Sequence, residues 1–173
     1  MSEQPRRGHL PRLLPACYRG FAFVHWVMTV ESRATGWLKE RFHAGWREGM
    51  LHTLVRYDLL CPVYCLMPDH MHFVWIGCST HSDQKLAAAF FRRFTNGLLS
   101  PNRWQRESYD HLLREEERSR GAFHATCQYV LENPVRKNLV DRWESYAFSG
   151  ALAPGFPDLD PRRNDFWEVF WLI

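Results

Sequence analysis

Residues 61–77 read CPVYCLMPDHMHFVWIG, and this stretch decides the fold. Two short apolar runs, CPVYCLMP and HMHFVWIG, are separated by little more than Pro68 and Asp69, which is a pair typical of a tight turn. The stretch therefore predicts a β-hairpin. His70 and His72 lie two residues apart in its second strand, so both imidazoles are expected on the same face of the sheet. Such a pair is either two packed histidines or two ligands of a metal ion, and the spacing is compatible with both.

The sequence on either side of the hairpin predicts helices packed against an antiparallel sheet, an α+β class compatible with a ferredoxin-like fold. A long β-branched and aromatic run predicts the first strand, and apolar residues at helical spacing predict three helices. The expected elements are a strand in 18–31, helices in 38–60, 79–99 and 115–133, and an extended segment in 104–114.

Apolar stripes support the first two helices. The stripe of the first helix consists of Phe42, Trp46, Met50, Leu54 and Val55. The stripe of the second consists of Ala87, Phe90, Phe91, Phe94 and Leu98. Arg92 and Asn96 are expected on the opposite side of that second helix.

Length and composition indicate one folded domain. The chain has 173 residues, of which 46% are hydrophobic and 24% charged, and this excludes disorder as its main state. We expect a basic arm at 1–17, a domain at 18–150 and a tail at 151–173 that packs on the domain. The five cysteines form no CxxC pair, which is typical of reduced thiols in a cytoplasmic protein. No long apolar run is present, so no membrane association is expected.

The net charge of +3 conceals a basic segment. Residues 85–106 carry five Lys or Arg and no Asp or Glu, interleaved with aromatic residues. This mixture suits phosphates and stacked bases. The alternative is a solvated helix face over an aromatic core.

Tyr129 and Asn133 lie four residues apart in the last expected helix, so they share a face away from the apolar stripe of Phe123, Cys127 and Val130. With the two histidines they offer a nucleophile and a hard oxygen ligand, a set that favours Mg²⁺ or Mn²⁺. Alternatively, Tyr129 is a half-buried helix residue and Asn133 caps a new turn that begins at Pro134.

Two segments carry a family resemblance. CLMPDHMHFVW resembles the HUH motif of the REP-associated tyrosine transposases, which are single-tyrosine HUH enzymes. WQRESYDHLLREEERSRGAFHATCQYVLENPVRKNLV is similar to the second signature of that family. The resemblance covers roughly residues 18–149. It departs at Asn138, where the family usually has Gly, and at the segment SYAFSG; the first departure preserves a residue suited to a left-handed cap.

The resemblance implies an HUH fold, with His70, His72 and Asn133 as ligands of a divalent metal, Mg²⁺ or Mn²⁺, and Tyr129 as nucleophile. It implies a metal-dependent transesterase that cleaves and rejoins single-stranded DNA through a 5′-phosphotyrosine link. The implied substrate is a bacterial palindromic repeat folded into a hairpin. The implied protein is a monomer, cytoplasmic and nucleoid-associated.

Further residues receive secondary roles. Asp110 and His111 are candidates for a pair that orients the metal ligands, and the alternative is a plain structural hydrogen bond. The candidates for DNA phosphate contacts are Arg92, Arg93, Arg114, Arg136 and Lys137. Five other histidines have no partner at an informative spacing and receive no catalytic role: His25, His43, His52, His81 and His124.

Two other functions compete with the transesterase. One is a regulatory protein that binds REP hairpins without cutting them. The other is a metal-dependent phosphodiesterase that uses water as nucleophile, in which Tyr129 would be dispensable.

Overall fold

The computed structural model describes residues 13–173, so most of the expected basic arm lies outside the described residues. The strands are β1 (Phe23–Thr29), β2 (Leu59–Met67), β3 (His70–Gly77), β4 (Tyr109–Leu112) and β5 (Ser149–Leu152). The helices are α1 (Glu40–Tyr57), α2 (Gln84–Leu99), α3 (Glu115–Arg118), α4 (Ala122–Arg136) and α5 (Phe166–Phe170).

The five strands form one antiparallel sheet in the order β4-β1-β3-β2-β5. The first four strands, with α1 and α2 between them, have the ferredoxin-like order, which confirms the expected fold class. β5 was not expected. It pairs with the free edge of β2 and crosses the boundary proposed between the domain and the tail, so residues 151 and 152 belong to the sheet.

Two apolar clusters lie on opposite faces of the sheet. On the first face, hereafter the α1/α2 face, α1 and α2 cover Trp26, Phe73 and Trp75. On the second, hereafter the α4 face, α4 and α5 cover Cys65 and Val74. Alternate residues of each strand contribute to each face, because side chains alternate along a strand.

The predicted hairpin and the first two helices are present, with local differences. Val55 is exposed although it belongs to the expected stripe of α1, and Phe94 and Leu98 are only partly covered. Phe94 and Leu98 of α2 lie over two glycines of α1. A Cβ atom at Gly49 would lie 2.4 Å from the Phe94 ring, and a Cβ atom at Gly45 would lie 3.0 Å from Leu98 Cδ1. These glycines weaken helix propensity but permit the close approach of the two helices.

The expected last helix is divided in two. Gly121 has a φ of +82°, a left-handed conformation that ends the α3 segment and starts α4. The expected extended segment is also shorter than 104–114. Trp104 and Gln105 pair with the end of β1, residues 106–108 bulge outward, and β4 starts only at Tyr109.

The segment after β5 packs on the α4 face. Phe166 and Phe170 of α5 are buried in the same cluster as Phe123, Cys127 and Val130 of α4. Arg162 ties this segment to the sheet, since its guanidinium donates to the backbone oxygens of Glu144, Tyr146 and Ser149. None of the helices in residues 13–173 is both long and apolar enough to cross a bilayer.

Candidate active site

His70 and His72 lie on β3, the central strand of the sheet, and both face α4. His72 is opposite Cys65 of β2 and Val27 of β1, and His70 is opposite Met67 and Thr29. The predicted sharing of one face is therefore present. Because β3 is hydrogen-bonded on both sides, the positions of these two side chains are set by the sheet rather than by a loop.

The two imidazoles point at each other through the same type of nitrogen. Nε2 of His70 lies 3.0 Å from Nε2 of His72. Each Nδ1 is occupied elsewhere: His70 Nδ1 contacts Asp69 Oδ1 at 2.5 Å, and His72 Nδ1 contacts His25 Nε2 at 3.1 Å. With each Nδ1 held by a neighbour, the two Nε2 atoms are the ones left to meet a ligand.

Asp69 belongs to the turn of the hairpin and orients His70. Its other carboxylate oxygen accepts a hydrogen bond from Arg33 Nη1 at 2.7 Å. Burial alone would raise the pKa of Asp69, but the hydrogen bonds from His70 and Arg33 outweigh it and lower this pKa. An ionised Asp69 favours the tautomer of His70 with the proton on Nδ1, which leaves the Nε2 lone pair available.

His25 on β1 is part of the site. Its ring stacks on that of His72 with centroids 5.3 Å apart, and it meets the Tyr129 ring edge-on at 6.1 Å. Burial, with the nearby charge of His111, lowers the pKa of His25 to about 4. Burial and the two neighbouring histidines lower the pKa of His72 to about 3. Both rings are therefore neutral near pH 7, which is the form that can ligate a metal.

Tyr129 extends from α4 over the histidines. Its ring meets the His72 ring edge-on with centroids 5.9 Å apart, and the side chain is 39% exposed. The Arg136 guanidinium lies over the other part of the ring, 4.8 Å from its centroid. The phenol is thus held between imidazole and guanidinium groups while part of it remains accessible to a substrate.

Asn133 is one helical turn after Tyr129 but is turned further into the protein, being 5% exposed. Its Nδ2 donates to the backbone carbonyl oxygen of Tyr129 at 2.9 Å and approaches that of Val130 at 3.4 Å. Pro134 has no N–H to donate to Val130, so the amide of Asn133 stands in for it. α4 continues to Arg136, so the interpretation of Asn133 as the cap of a new turn is wrong. Asn133 and Tyr129 also do not share one exposed face.

The donor set fits a divalent ion in part. Two nitrogens that lie about 2.1 Å from one ion at a right angle are about 3 Å apart, which matches the His70–His72 distance. The nitrogen of the Asn133 amide is engaged by its own helix, which leaves the oxygen as its acceptor atom. Within residues 13–173, no group of three or more His, Cys, Asp or Glu side chains converges to hold a metal. The donor atoms that the structure brings together are therefore the two imidazole nitrogens.

Asp110 and His111 do not form the predicted pair, because adjacent residues of β4 point to opposite faces. Asp110 lies on the α1/α2 face, where it accepts hydrogen bonds from Tyr18 and Lys85. His111 lies on the α4 face opposite His25, with Nε2 3.8 Å from Glu117. Asp69 and His25 are the residues that contact the two histidines.

The five predicted phosphate contacts differ in their surroundings. Arg136 adjoins Tyr129, and Lys137 follows it at the end of α4. Arg114 is exposed before α3, and Arg93 is exposed on α2. Arg92 is half-buried: it donates to the backbone oxygen of Arg106 and to Ser108 Oγ, so it holds the bulge before β4.

α2, which carries Lys85, Arg92 and Arg93 of the basic segment, covers the face of the sheet opposite the histidines. Its ring Phe91 is buried against Trp46 and Phe73, and its Asn96 accepts a hydrogen bond from the Trp104 backbone. Phe91 and Trp104 of the segment thus belong to the buried core on this face, while Phe94 is partly exposed. This outcome corresponds to the alternative of a helix face over an aromatic core.

The overall fold matches a solved structure. A REP-associated tyrosine transposase bound to a REP hairpin superposes with a TM-score of 0.65, at 19% sequence identity over 86% of this chain and 82% of that chain. This likeness shows a common fold. Neither a scan against protein-family models nor a search of the curated proteins finds a match.

Sequence reasoning missed three residues of the site: Arg33, His25 and Asp69. Asp69 was identified only as a turn residue, although it directly precedes the first histidine. His25 could have been found from the alternation of β1, because Trp26 and Val24 mark the buried face and His25 lies on the other. Arg33 is the last residue of a short helical turn, Glu31–Arg33, and its φ is +52°. No pattern in the sequence indicates its contact with Asp69.

Proposed function

We propose that this protein is a metal-assisted transesterase that cleaves and rejoins hairpin-forming repetitive single-stranded DNA, with Tyr129 as nucleophile. One observation carries the proposal: a partly exposed tyrosine ring lies against a pair of histidines whose Nε2 atoms converge. The hairpin substrate is suggested by the solved structure of the same fold, which is bound to a REP hairpin.

His70, His72 and the Asn133 oxygen would hold a divalent ion. When bound, the ion polarises the reacting phosphate and lowers the cost of charge on the leaving oxygen. Asp69 and His25 fix the two imidazoles through their Nδ1 atoms, so the geometry exists before DNA binds.

Tyr129 performs the covalent step. Its hydroxyl oxygen attacks phosphorus, the bond from phosphorus to the 3′ oxygen breaks, and the phenolic proton is lost while the 3′ oxygen gains one. The products are a 5′-phosphotyrosine and a free 3′-OH. Phenols ordinarily have a pKa near 10, so orientation of the hydroxyl against the phosphate matters more than spontaneous ionisation. The Arg136 guanidinium beside the ring attracts the phosphate to this position.

Attack of a 3′-OH on the phosphotyrosine reverses the step and joins the strands. The covalent link retains the energy of the phosphodiester, so no nucleotide cofactor is required. This reversibility distinguishes a transesterase from a hydrolase, in which water would release the DNA permanently.

The test uses a DNA hairpin with unpaired flanks, labelled at its 3′ end. Because the protein becomes linked to the 5′ phosphate of the downstream piece, the 3′ label should move to the mass of the protein on a denaturing gel. We expect this band with Mg²⁺ or Mn²⁺, and we expect it to disappear with EDTA or in Tyr129→Phe. A 5′ label should instead appear on a free shortened strand.

Tyr57→Phe is the matched control, because Tyr57 is a half-buried helix tyrosine of α1, away from the histidines. It should form the adduct at the normal rate. Binding without an adduct under every metal would overturn the transesterase and support a regulatory hairpin-binding protein. Cleavage by Tyr129→Phe without an adduct would support hydrolysis by water.

A further inference from the structure

The α4 face has an open corner beside the histidines. α4 packs over β2 and β3, and towards the start of β1 the ring of Phe23 is covered by Phe123 and Arg118. At the other end of β1, Val27 and Thr29 remain partly exposed. Tyr109 of the neighbouring β4 is 64% exposed at this corner.

The register aligns Tyr109 with the candidate active site. Tyr109 is opposite Val27, and Val27 is opposite His72, so the three residues form one row across three strands. All three point to the α4 face. Two strand spacings separate the Tyr109 and His72 backbones, which is about 10 Å. A nucleotide held at the histidines therefore has an adjacent nucleotide within reach of the Tyr109 ring.

Tyr109 has no internal partner to explain it. The chain has six tyrosines. Tyr18, Tyr64 and Tyr146 donate or accept hydrogen bonds, while Tyr57 and Tyr129 contact other rings. Among residues 13–173, no hydrogen bond and no ring contact involves the Tyr109 side chain, whereas its backbone pairs with β1. A large, flat and mostly apolar ring is thus presented to solvent without contributing to the core.

The backbone beneath this ring is well held. β4 pairs with β1 from Tyr109 to Leu112, and Arg92 fixes the bulge at 106–108 just before it. A ring on a fixed strand loses little conformational freedom when a base stacks on it, which favours binding. The position from which the Tyr109 ring extends is therefore fixed by the sheet before DNA binds.

The charges at this corner are compatible with a DNA backbone. The two carboxylates at the end of β1 and in the hairpin turn are each bonded by an arginine: Glu31 with Arg103 at 3.0 Å, and Asp69 with Arg33 at 2.7 Å. Arg136 adds a further positive charge beside Tyr129. Phosphates approaching the histidines thus meet neutralised carboxylates and a guanidinium.

We propose that Tyr109 is a base-stacking platform for the unpaired nucleotide that adjoins the reacting phosphate. The ring supplies a π-face that accepts any base, so it positions the strand without selecting its sequence. This proposal rests on the proposed function, since it specifies how the same site holds its single strand. Tyr109 is a positioning residue and takes no part in bond making.

The experiment measures stacking and catalysis separately. 2-Aminopurine, whose fluorescence falls on stacking, is placed at each unpaired position of the hairpin flank in turn. The DNA is bound to Tyr129→Phe protein in Mg²⁺, so that it stays uncleaved, which a gel verifies. We expect one position to be quenched, and Tyr109→Ala in the same background to restore its fluorescence. Tyr109→Phe keeps the ring and should retain the quenching.

The kinetic part uses proteins with Tyr129 intact. Tyr109→Ala should raise the KM for cleavage by about tenfold, the effect of losing one stacked base, with a much smaller change in kcat. Tyr109→Phe should resemble the wild type. Phe21→Ala is the matched control, because Phe21 is an equally exposed ring before the opposite end of β1, and it should change neither quantity.

Each outcome separates the two proposals. If cleavage occurs but Tyr109→Ala alters neither quenching nor KM, or if Tyr109→Phe is as defective as Tyr109→Ala, the platform is overturned and the transesterase remains. If quenching depends on the ring but no adduct forms, the platform holds and the transesterase fails. Failure of every hairpin to bind overturns both.

Discussion

The two faces of the sheet are built from different kinds of side chain. The α1/α2 face is filled by large rings such as Trp26, Trp46 and Phe91, all essentially inaccessible to water. Near the start of β3, the α4 face instead buries His25 and His72 and leaves Tyr129 partly exposed. Burial of a polar imidazole stabilises a fold less than burial of an apolar aromatic ring. The α4 face therefore combines an apolar cluster of its own with the candidate site, whereas the α1/α2 face is mainly aromatic and aliphatic core.

The largest expected effect is the contrast between a core ring and a site imidazole. Phe91→Ala should lower the free energy of unfolding by about 3–5 kcal/mol, because it leaves a cavity between α1 and α2. His72→Ala should lower it by about 1 kcal/mol, a typical value for single substitutions, yet abolish adduct formation. Urea unfolding at pH 7.5 and the labelled-hairpin assay measure the two. If Phe91→Ala and His72→Ala lower the free energy of unfolding equally, the two faces do not differ in their contribution to stability.

The next effect tests the contact between α1 and α2. In Gly49→Ala the new Cβ would meet the Phe94 ring at 2.4 Å, so either that ring or one of the two helices must shift. We expect a loss of about 1–2 kcal/mol in the free energy of unfolding, which is an overpacking cost reduced by the better helix propensity of Ala. Gly97→Ala on α2 has open space around its Cβ and should gain up to about 1 kcal/mol. Thermal unfolding of the two variants should therefore shift in opposite directions.

Arg92 and Arg93 are neighbours with different surroundings, although the sequence assigned both to phosphate contacts. Arg92→Ala removes the hydrogen bonds that hold the bulge before β4 and should cost about 1–2 kcal/mol of unfolding free energy. Arg93→Ala changes an exposed side chain and should stay within about 0.5 kcal/mol. Chemical denaturation compares them. A larger effect from Arg93 would contradict the role assigned to Arg92.

A further expected effect concerns acid. Burial, with the nearby Arg47 charge, lowers the pKa of His43 to about 4, whereas it is near 6.5 in the unfolded chain. The unfolded chain therefore binds a proton first as the pH falls. The contribution of neutral His43 to the free energy of unfolding is therefore complete above pH 6.5 and is lost as the pH falls from 6.5 to 4. His43→Gln, which can still bond the Tyr64 hydroxyl, should show a weaker pH dependence of stability over that interval. An unchanged profile would show that His43 titrates normally in the folded protein.

Local patterns predicted the part of the molecule that depends on near neighbours in sequence. The hairpin, the shared face of His70 and His72, and the helices around 40–57 and 84–99 follow from periodicity and turn residues. The break at Gly121 and the strand β5 did not, since the first depends on one left-handed residue and the second is a four-residue segment stabilised by the edge of β2.

The site was predictable where a motif carries it and not where tertiary contacts complete it. The histidine pair and Tyr129 come together as expected. The partners of those residues come from elsewhere: His25 from β1 and Arg33 from a turn thirty-six residues before Asp69. Asp110 does not contact the histidines, because its position in β4 directs its side chain to the α1/α2 face.

The position of β3 in the middle of the sheet has a consequence for hydrogen exchange. Both edges of β3 are paired, so the backbone amides around the histidines should be among the last to exchange with deuterium. Tyr129 is carried by a helix that contains Pro134 and begins at a left-handed glycine, so α4 has weaker points at both ends. The histidines therefore hold a fixed position in the candidate site. We expect local opening of α4 to displace Tyr129 more readily than the histidines.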